Sequence, residues 1–138
     1  MAGRARRRGD RARRGRAVSA RATIDLAGDR ASYEAGEELA GVVRLTTLPG
    51  RPVPRVELAV LWLTEGRGST DTGVVHAEVL TEGQQEAPAE GFSFRARLPL
   101  LPRSYRGDLI EIRWLVRVRC SAGLMKDDLI YDQPIIVR

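Results

Sequence analysis

The chain of 138 residues holds one cysteine, one histidine and one lysine; aromatic side chains make up 5% of it, and no apolar run approaches the ~18 residues of a membrane span. Each shortage excludes something. A lone Cys120 cannot close an internal disulfide. With His76 as the only imidazole, no His/Cys set is available for zinc and no Ser/His or Cys/His pair is evident to generate a nucleophile. The arginine-rich start is not followed by the apolar segment that a secretion signal needs. The composition points to a cytoplasmic, non-enzymatic chain with no metal, no cofactor and no transmembrane segment.

What is abundant is arginine, and it is unevenly placed. The formal charge of +5 and the sequence pI near 10.3 split into two parts: residues 1–21 hold nine Arg and one Asp, a net of +8, whereas 22–138 hold 14 basic and 17 acidic side chains, a net of −3. Residues 1–21 are otherwise mostly Ala and Gly, with too little apolar surface to offset the entropy of ordering. They read as a disordered or partner-ordered arm preceding one domain, 22–138. Arg4, Arg6, Arg7, Arg8, Arg11, Arg13, Arg14 and Arg16 are candidates for binding a polyanion, because guanidinium donates paired hydrogen bonds to phosphate and keeps its charge. Without interleaved aromatics, such binding would be electrostatic, salt-sensitive and indifferent to base sequence. Two other readings stay open: a solubilising or assembly tail, and an over-extended start, with Val18 as one conceivable true first position.

Beyond the arm, no stretch of ten residues shows a convincing 3.6-residue period. Short apolar-alternating runs separated by Gly, Pro and charged turns predict strands over about 21–27, 38–47, 55–64, 73–81, 90–98, 109–120 and 128–137. Seven strands in a body of this length indicate an all-β sandwich. In the sixth run Ile110, Ile112, Trp114, Val116, Val118 and Cys120 share one face. In the third, Val56, Leu58, Val60 and Trp62 form the inward set, and in the fifth Phe92, Phe94, Ala96 and Leu98 do so.

The order of several short motifs resembles the arrestin-like family, which takes in arrestins, Vps26-like retromer relatives and bacterial sporulation-control proteins. Tyr33-Glu34-Ala35-Gly36-Glu37 followed by Leu39-Ala40-Gly41-Val42-Val43 is similar to the segment that opens the second strand there. Phe92-Ser93-Phe94, Leu98-Pro99, Pro102-Arg103-Ser104-Tyr105 with Gly107, and Ile112-Arg113-Trp114 with Val116 follow in the family's order. The resemblance spans residues 22–138 and implies an immunoglobulin-like, arrestin-type sandwich with a non-catalytic adaptor or scaffold role. Arrestins proper have two such sandwiches, so recognition by rotation of two domains, and the buried charge cluster that senses phosphate, do not carry over.

Two places in the body are candidates for partner binding. The loop joining the third and fourth runs, 64–72, concentrates glycines and carboxylates: Glu65, Gly66, Arg67, Gly68 and Asp71 would let a partner backbone approach closely or hold a basic peptide. The simpler reading is a hairpin whose Ser, Thr and Asp side chains bond their own backbone. The last run contains Pro134, which a sheet tolerates only on an edge or at a bulge, so Leu129, Ile130, Tyr131 and Asp132 are candidates for a partner-binding edge. Arg95, Arg97, Arg113, Arg117 and Arg119 point outward on the fifth and sixth runs; they either pair with acids such as Glu57, Glu78 or Glu111 or form a cationic strip on one sheet. His76 is expected to face solvent, and Cys120 to be a small buried hydrophobe. The sequence thus predicts a protein-binding adaptor that uses an edge and loops and is open to self-association. The alternative is a nucleic-acid- or particle-associated protein anchored by its arm.

Overall fold

The computed structural model describes residues 20–121 and 128–138. The period-2 alternation becomes nine strands in chain order: β1 (Arg21–Leu26), β2 (Ser32–Tyr33), β3 (Glu38–Thr46), β4 (Arg55–Gly66), β5 (Thr72–Thr81), β6 (Phe92–Arg97), β7 (Tyr105–Arg106), β8 (Ile110–Ser121) and β9 (Leu129–Val137). All seven expected runs are strands. The two additions, β2 and β7, are two residues each, too short to leave a period in the sequence. Arg21, counted with the arm by charge, is the first residue of β1.

Two sheets face each other. The smaller has the order β1-β3-β6, and the larger β2-β9-β8-β4-β5, with β7 on the flank of β8. Neighbours are antiparallel except β2, which runs parallel to β9 through Ser32 opposite Ile136 and Tyr33 opposite Val137. Between the sheets lie Leu39, Val43, Phe94 and Ala96 on one side and Val56, Leu58, Val60, Trp114, Val116, Val118 and Cys120 on the other, all buried. Trp114 is 1% exposed, and its indole N–H is satisfied by the Pro102 carbonyl at 3.2 Å. A mostly aliphatic core of this extent is enough for a body this size without disulfide or metal.

Bulges and sheet assignment account for the departures from the sequence-based expectations. β4 and β5 slip register between Val56 and Glu57 and between Val60 and Leu61. The extra residue on β5 turns both Val75 and His76 towards the core side, so His76 is half-buried and contacts Glu78 at 3.1 Å rather than standing in solvent. Trp62 is only partly buried, and Ile110, at the start of β8, is exposed. The five outward arginines do not form one strip: β6 carries Arg95 and Arg97 in the small sheet, while β8 carries Arg113, Arg117 and Arg119 in the large one. Four of them find acids, though not mainly the expected ones. Arg95 meets Glu38, Arg113 Glu65, Arg117 Asp132 and Arg119 Asp128, with Glu111 only at 4.0 Å from Arg113. Glu57 pairs instead with Arg55 and Glu78 with His76.

The turns sort into two ends. At one, the 34–37 turn is tied to the segment after β6 by Gly36 N–H to Pro99 O at 3.2 Å and Leu98 N–H to Glu37 O at 2.9 Å. Ser104 N–H reaches Val137 O at 2.8 Å, and Gly66 stands opposite Ile110, so the 67–71 loop and the 107–109 turn belong to this end too. β1 begins at the other end, where Arg21 pairs with Thr46 while Leu26 pairs with Gly41.

Candidate interaction surfaces

Each sequence-derived candidate in the body occupies a definite place. Glu65 and Gly66 are the last residues of β4 rather than loop, which leaves 67–71 as the connection to β5. The connection is closed by Thr64 N–H to Asp71 O at 2.9 Å and Asp71 N–H to Thr64 Oγ1 at 3.0 Å. Glu65 is engaged by Arg113 at 2.8 Å. Gly66 has no room for a Cβ because the Leu109 carbonyl of the next hairpin fills that space. Gly68, at φ 98°, takes the left-handed conformation that glycine permits. All five candidates are exposed, and Arg67, Gly68 and Asp71 are the ones that remain in the loop.

In β9, Leu129 and Tyr131 are half-buried, and the Tyr131 hydroxyl lies 3.4 Å from the Ala20 carbonyl at the base of the arm. Ile130 and Asp132 are exposed, and Asp132 holds Arg117 through two bonds of 2.8 and 3.0 Å. That contact raises the pKa of the guanidinium further and keeps it charged. Ile136 N–H points away from β8 to Ala31 O, so by alternation the nitrogen of Pro134 faces that same flank, where no ladder hydrogen bond is lost. The proline therefore sits on the flank away from β8, where β2 covers β9 at Ile136 and Val137 and, among the described residues, no strand pairs with 129–134. The 67–71 loop and residues 129–132 are not brought together. They lie at opposite ends, with β4 and β8 between β5 and β9, roughly 14 Å of sheet. Arg4, Arg6, Arg7, Arg8, Arg11, Arg13, Arg14 and Arg16 lie outside the described residues.

Two features are not visible in the sequence pattern. The first is β5, which pairs with β4 on one side and, among the described residues, with nothing on the other. The second is the outer face of the large sheet beside it. Register places Val74, Leu61, Leu115 and Pro134 in one row across β5, β4, β8 and β9, all on the side away from the core. Leu61 and Leu115 are nonetheless buried there, flanked along β8 by the long side chains of Arg113 and Arg117. Next to this row is a hollow of about 380 Å³ whose apolar floor includes Ala59, Leu61, Val74, Ala77 and Val79, with Glu57, Arg117 and Arg119 at its border. The signal was present as apolar residues in both parities of β4, but only the bulge and the partner strands assign them to a face.

Two further hollows exist. One, of about 430 Å³, lies between β7 and β9 and is lined by Tyr105, Ile112, Trp114 and residues 134–136 among others. The other, of about 510 Å³, lies between the β3–β4 connection and residues 85–87. Cys120 is buried in the core, where burial pushes its thiol pKa up to about 11. Among the described residues no helix is long and apolar enough to cross a membrane.

Comparison with known proteins finds no matching family profile and no matching curated sequence. Solved structures do match. The crystal structure of the sporulation control protein Spo0M from Bacillus subtilis superposes with a TM-score of 0.64 at 19% identity over 86% of this chain, which spans about half, 49%, of that one. At this identity the likeness is one of fold, and the fold of this chain is the arrestin-like β-sandwich.

Proposed function

We propose that the chain is a non-catalytic protein-interaction module, an adaptor or scaffold, that receives an extended segment of its partner along β5. The observation that carries this is the coincidence of a strand with one side unpaired among the described residues and an apolar hollow immediately beside it on the same sheet. Main-chain groups along the edge would supply affinity, and Val74, Ala77 and Val79 pockets for alternate side chains. The bulges at Val75 and Leu80 limit the regular part to His76–Val79, so the added strand is short. The 67–71 loop leads directly into Thr72, which puts Arg67 and Asp71 where they would select the partner. Spo0M, which shares the fold, is a sporulation control protein, and a control role is in keeping with such a module.

The test is capture of partners by the full chain and by a Val74→Lys/Val79→Lys variant. Both side chains are exposed, so the fold should persist. Partners that bind wild type and are lost from the variant support the reading; equal capture by both refutes it. The charge asymmetry favours a second reading, attachment to nucleic acid or another polyanion through the arginines of 1–21.

A further inference from the structure

Strands at the border of a sheet often turn polar or charged groups inward, which makes them selective about what can pair with them. β5 does so in a particular pattern. Register sets Glu78 opposite Leu58 and His76 opposite Val60, both core residues, so the carboxylate and the imidazole sit half-buried on the core side. They meet each other at 3.1 Å, a contact that uses one nitrogen of the ring and one oxygen of the carboxylate. Ala77 and Val79, opposite Ala59 and Glu57, turn to the outer face and are exposed, as is Val74 beyond the bulge.

A strand added at this side would bury His76 and Glu78 further, so one that offers them nothing leaves two polar groups without new partners. An antiparallel strand that suits them carries, in chain order, an apolar residue for Val79, a donor for Glu78, a small residue for Ala77 and an acid for His76. Val75-His76-Ala77-Glu78 is such a segment. Turned about a two-fold axis normal to the sheet through Ala77, β5 sets His76 against Glu78 of the other copy, Glu78 against His76, and Ala77 against itself. Each Val79 then meets the Val74–Val75 bulge of the other copy, which covers apolar surface that is exposed in the single chain. Shifted registers that keep the faces matched lose this fit: centring on Glu78 opposes two carboxylates, and centring on His76 opposes two imidazoles.

We infer that β5 pairs with β5 of a second copy, antiparallel and centred on Ala77, which joins two large sheets into one. The inference rests on the reading of β5 as a binding edge and deepens it by naming one occupant, another copy of this chain. The contact is isologous and closes at a dimer, because each copy uses its β5 side once. Bulges confine the regular pairing to His76, Ala77 and Glu78 of each copy, so the dimer is weak and depends on concentration.

The experiment is analytical ultracentrifugation of the full chain from micromolar to submillimolar concentration. The expected result is a reversible dimer of the 15.2 kDa chain. His76→Glu opposes carboxylate to carboxylate and Glu78→Lys opposes donor to donor, so each alone should weaken the dimer at least about tenfold while leaving the circular dichroism unchanged. An equimolar mixture of the two variants should regain it as a heterodimer, because every facing pair is then acid to base. Ala77→Cys should cross-link to its own copy under mild oxidation, whereas Val79→Cys, roughly 14 Å from its equivalent, should not; buried Cys120 stays silent. A monomer throughout, a dimer indifferent to both charge changes, a mixture that does not regain it, or a cross-link at Val79→Cys in place of Ala77→Cys would overturn the inference. A chain that stays monomeric yet loses its captured partners in the Val74→Lys/Val79→Lys variant would overturn it and leave the reading of β5 as a binding edge for other proteins intact. A dimer with the Ala77→Cys cross-link, beside equal partner capture by wild type and the lysine variant, would uphold it and sink that reading.

Discussion

Tyr33 shows how a single side chain can be packed well and still cost stability. It is buried in the core with Arg30 over its ring at 4.4 Å, yet its buried hydroxyl has no hydrogen-bond partner among the described residues. Removing an unsatisfied hydroxyl while keeping the ring removes a desolvation cost, so Tyr33→Phe should stabilise the fold by roughly 1 kcal/mol in chemical denaturation. A loss of stability would mean that the hydroxyl is satisfied in solution. Cys120 gives a pH prediction. Its ordinary pKa of 9.0 rises to about 11 in the fold, so the folded state holds the thiol proton more tightly than the unfolded one. The stability linked to this group is complete below pH 9 and is lost as the pH climbs through 9 to 11. A thiol reagent at about pH 8 should therefore react only on unfolding, and a Cys120→Ala chain should lose less stability across that window than wild type.

Strands raise a different question, namely which face and which neighbour each residue meets. Leu115 lies outward on β8 by alternation but is buried in the row of Leu61 and Pro134, whereas Arg117, two residues further along the same face, makes an exposed bidentate pair with Asp132. Leu115→Ala should cost about 2–4 kcal/mol in urea unfolding, as for a core leucine. Asp132→Asn should cost under about 1 kcal/mol and less in high salt, since the pair is solvent-screened. If the two changes cost the same, the outer row does not pack as a core does. The strand runs themselves were legible from period 2, whereas the last run, expected at an edge from Pro134, lies between β8 and the two-residue β2. β2 on β9, the bulges of β4 and β5, and the open edge of β5 were not legible. Each depends on what lies alongside a strand, which no local pattern records. For the same reason the 64–72 stretch reads as loop while Glu65 and Gly66 are strand: the reach of β4 is set by its ladder with β8, where Glu65 faces Glu111 and Gly66 faces Ile110.

For the molecule as a whole, the division of charge has the clearest experimental consequence. The arginines of 1–19 carry the basicity, so deleting residues 2–19 leaves a chain with a slight net negative charge. The full chain should bind generic single-stranded RNA with an affinity that falls steeply with salt, and the truncated chain should not bind it. RNA binding that survives the deletion would transfer the activity to the sandwich and leave the arm without that role.

The sequence alone determined the division into a +8 segment and a −3 body, the all-β class, the positions of seven strands and most of the core, because charge and period-2 alternation are properties of the chain read locally. It also suggested the arrestin-like order of motifs. Only the tertiary structure decided that one side of β5 is unpaired among the described residues, which arginines are paired, and that Leu61 and Leu115 are buried on the outer face. These are relations between strands distant in the chain, and they exist only once pairing and register have been chosen.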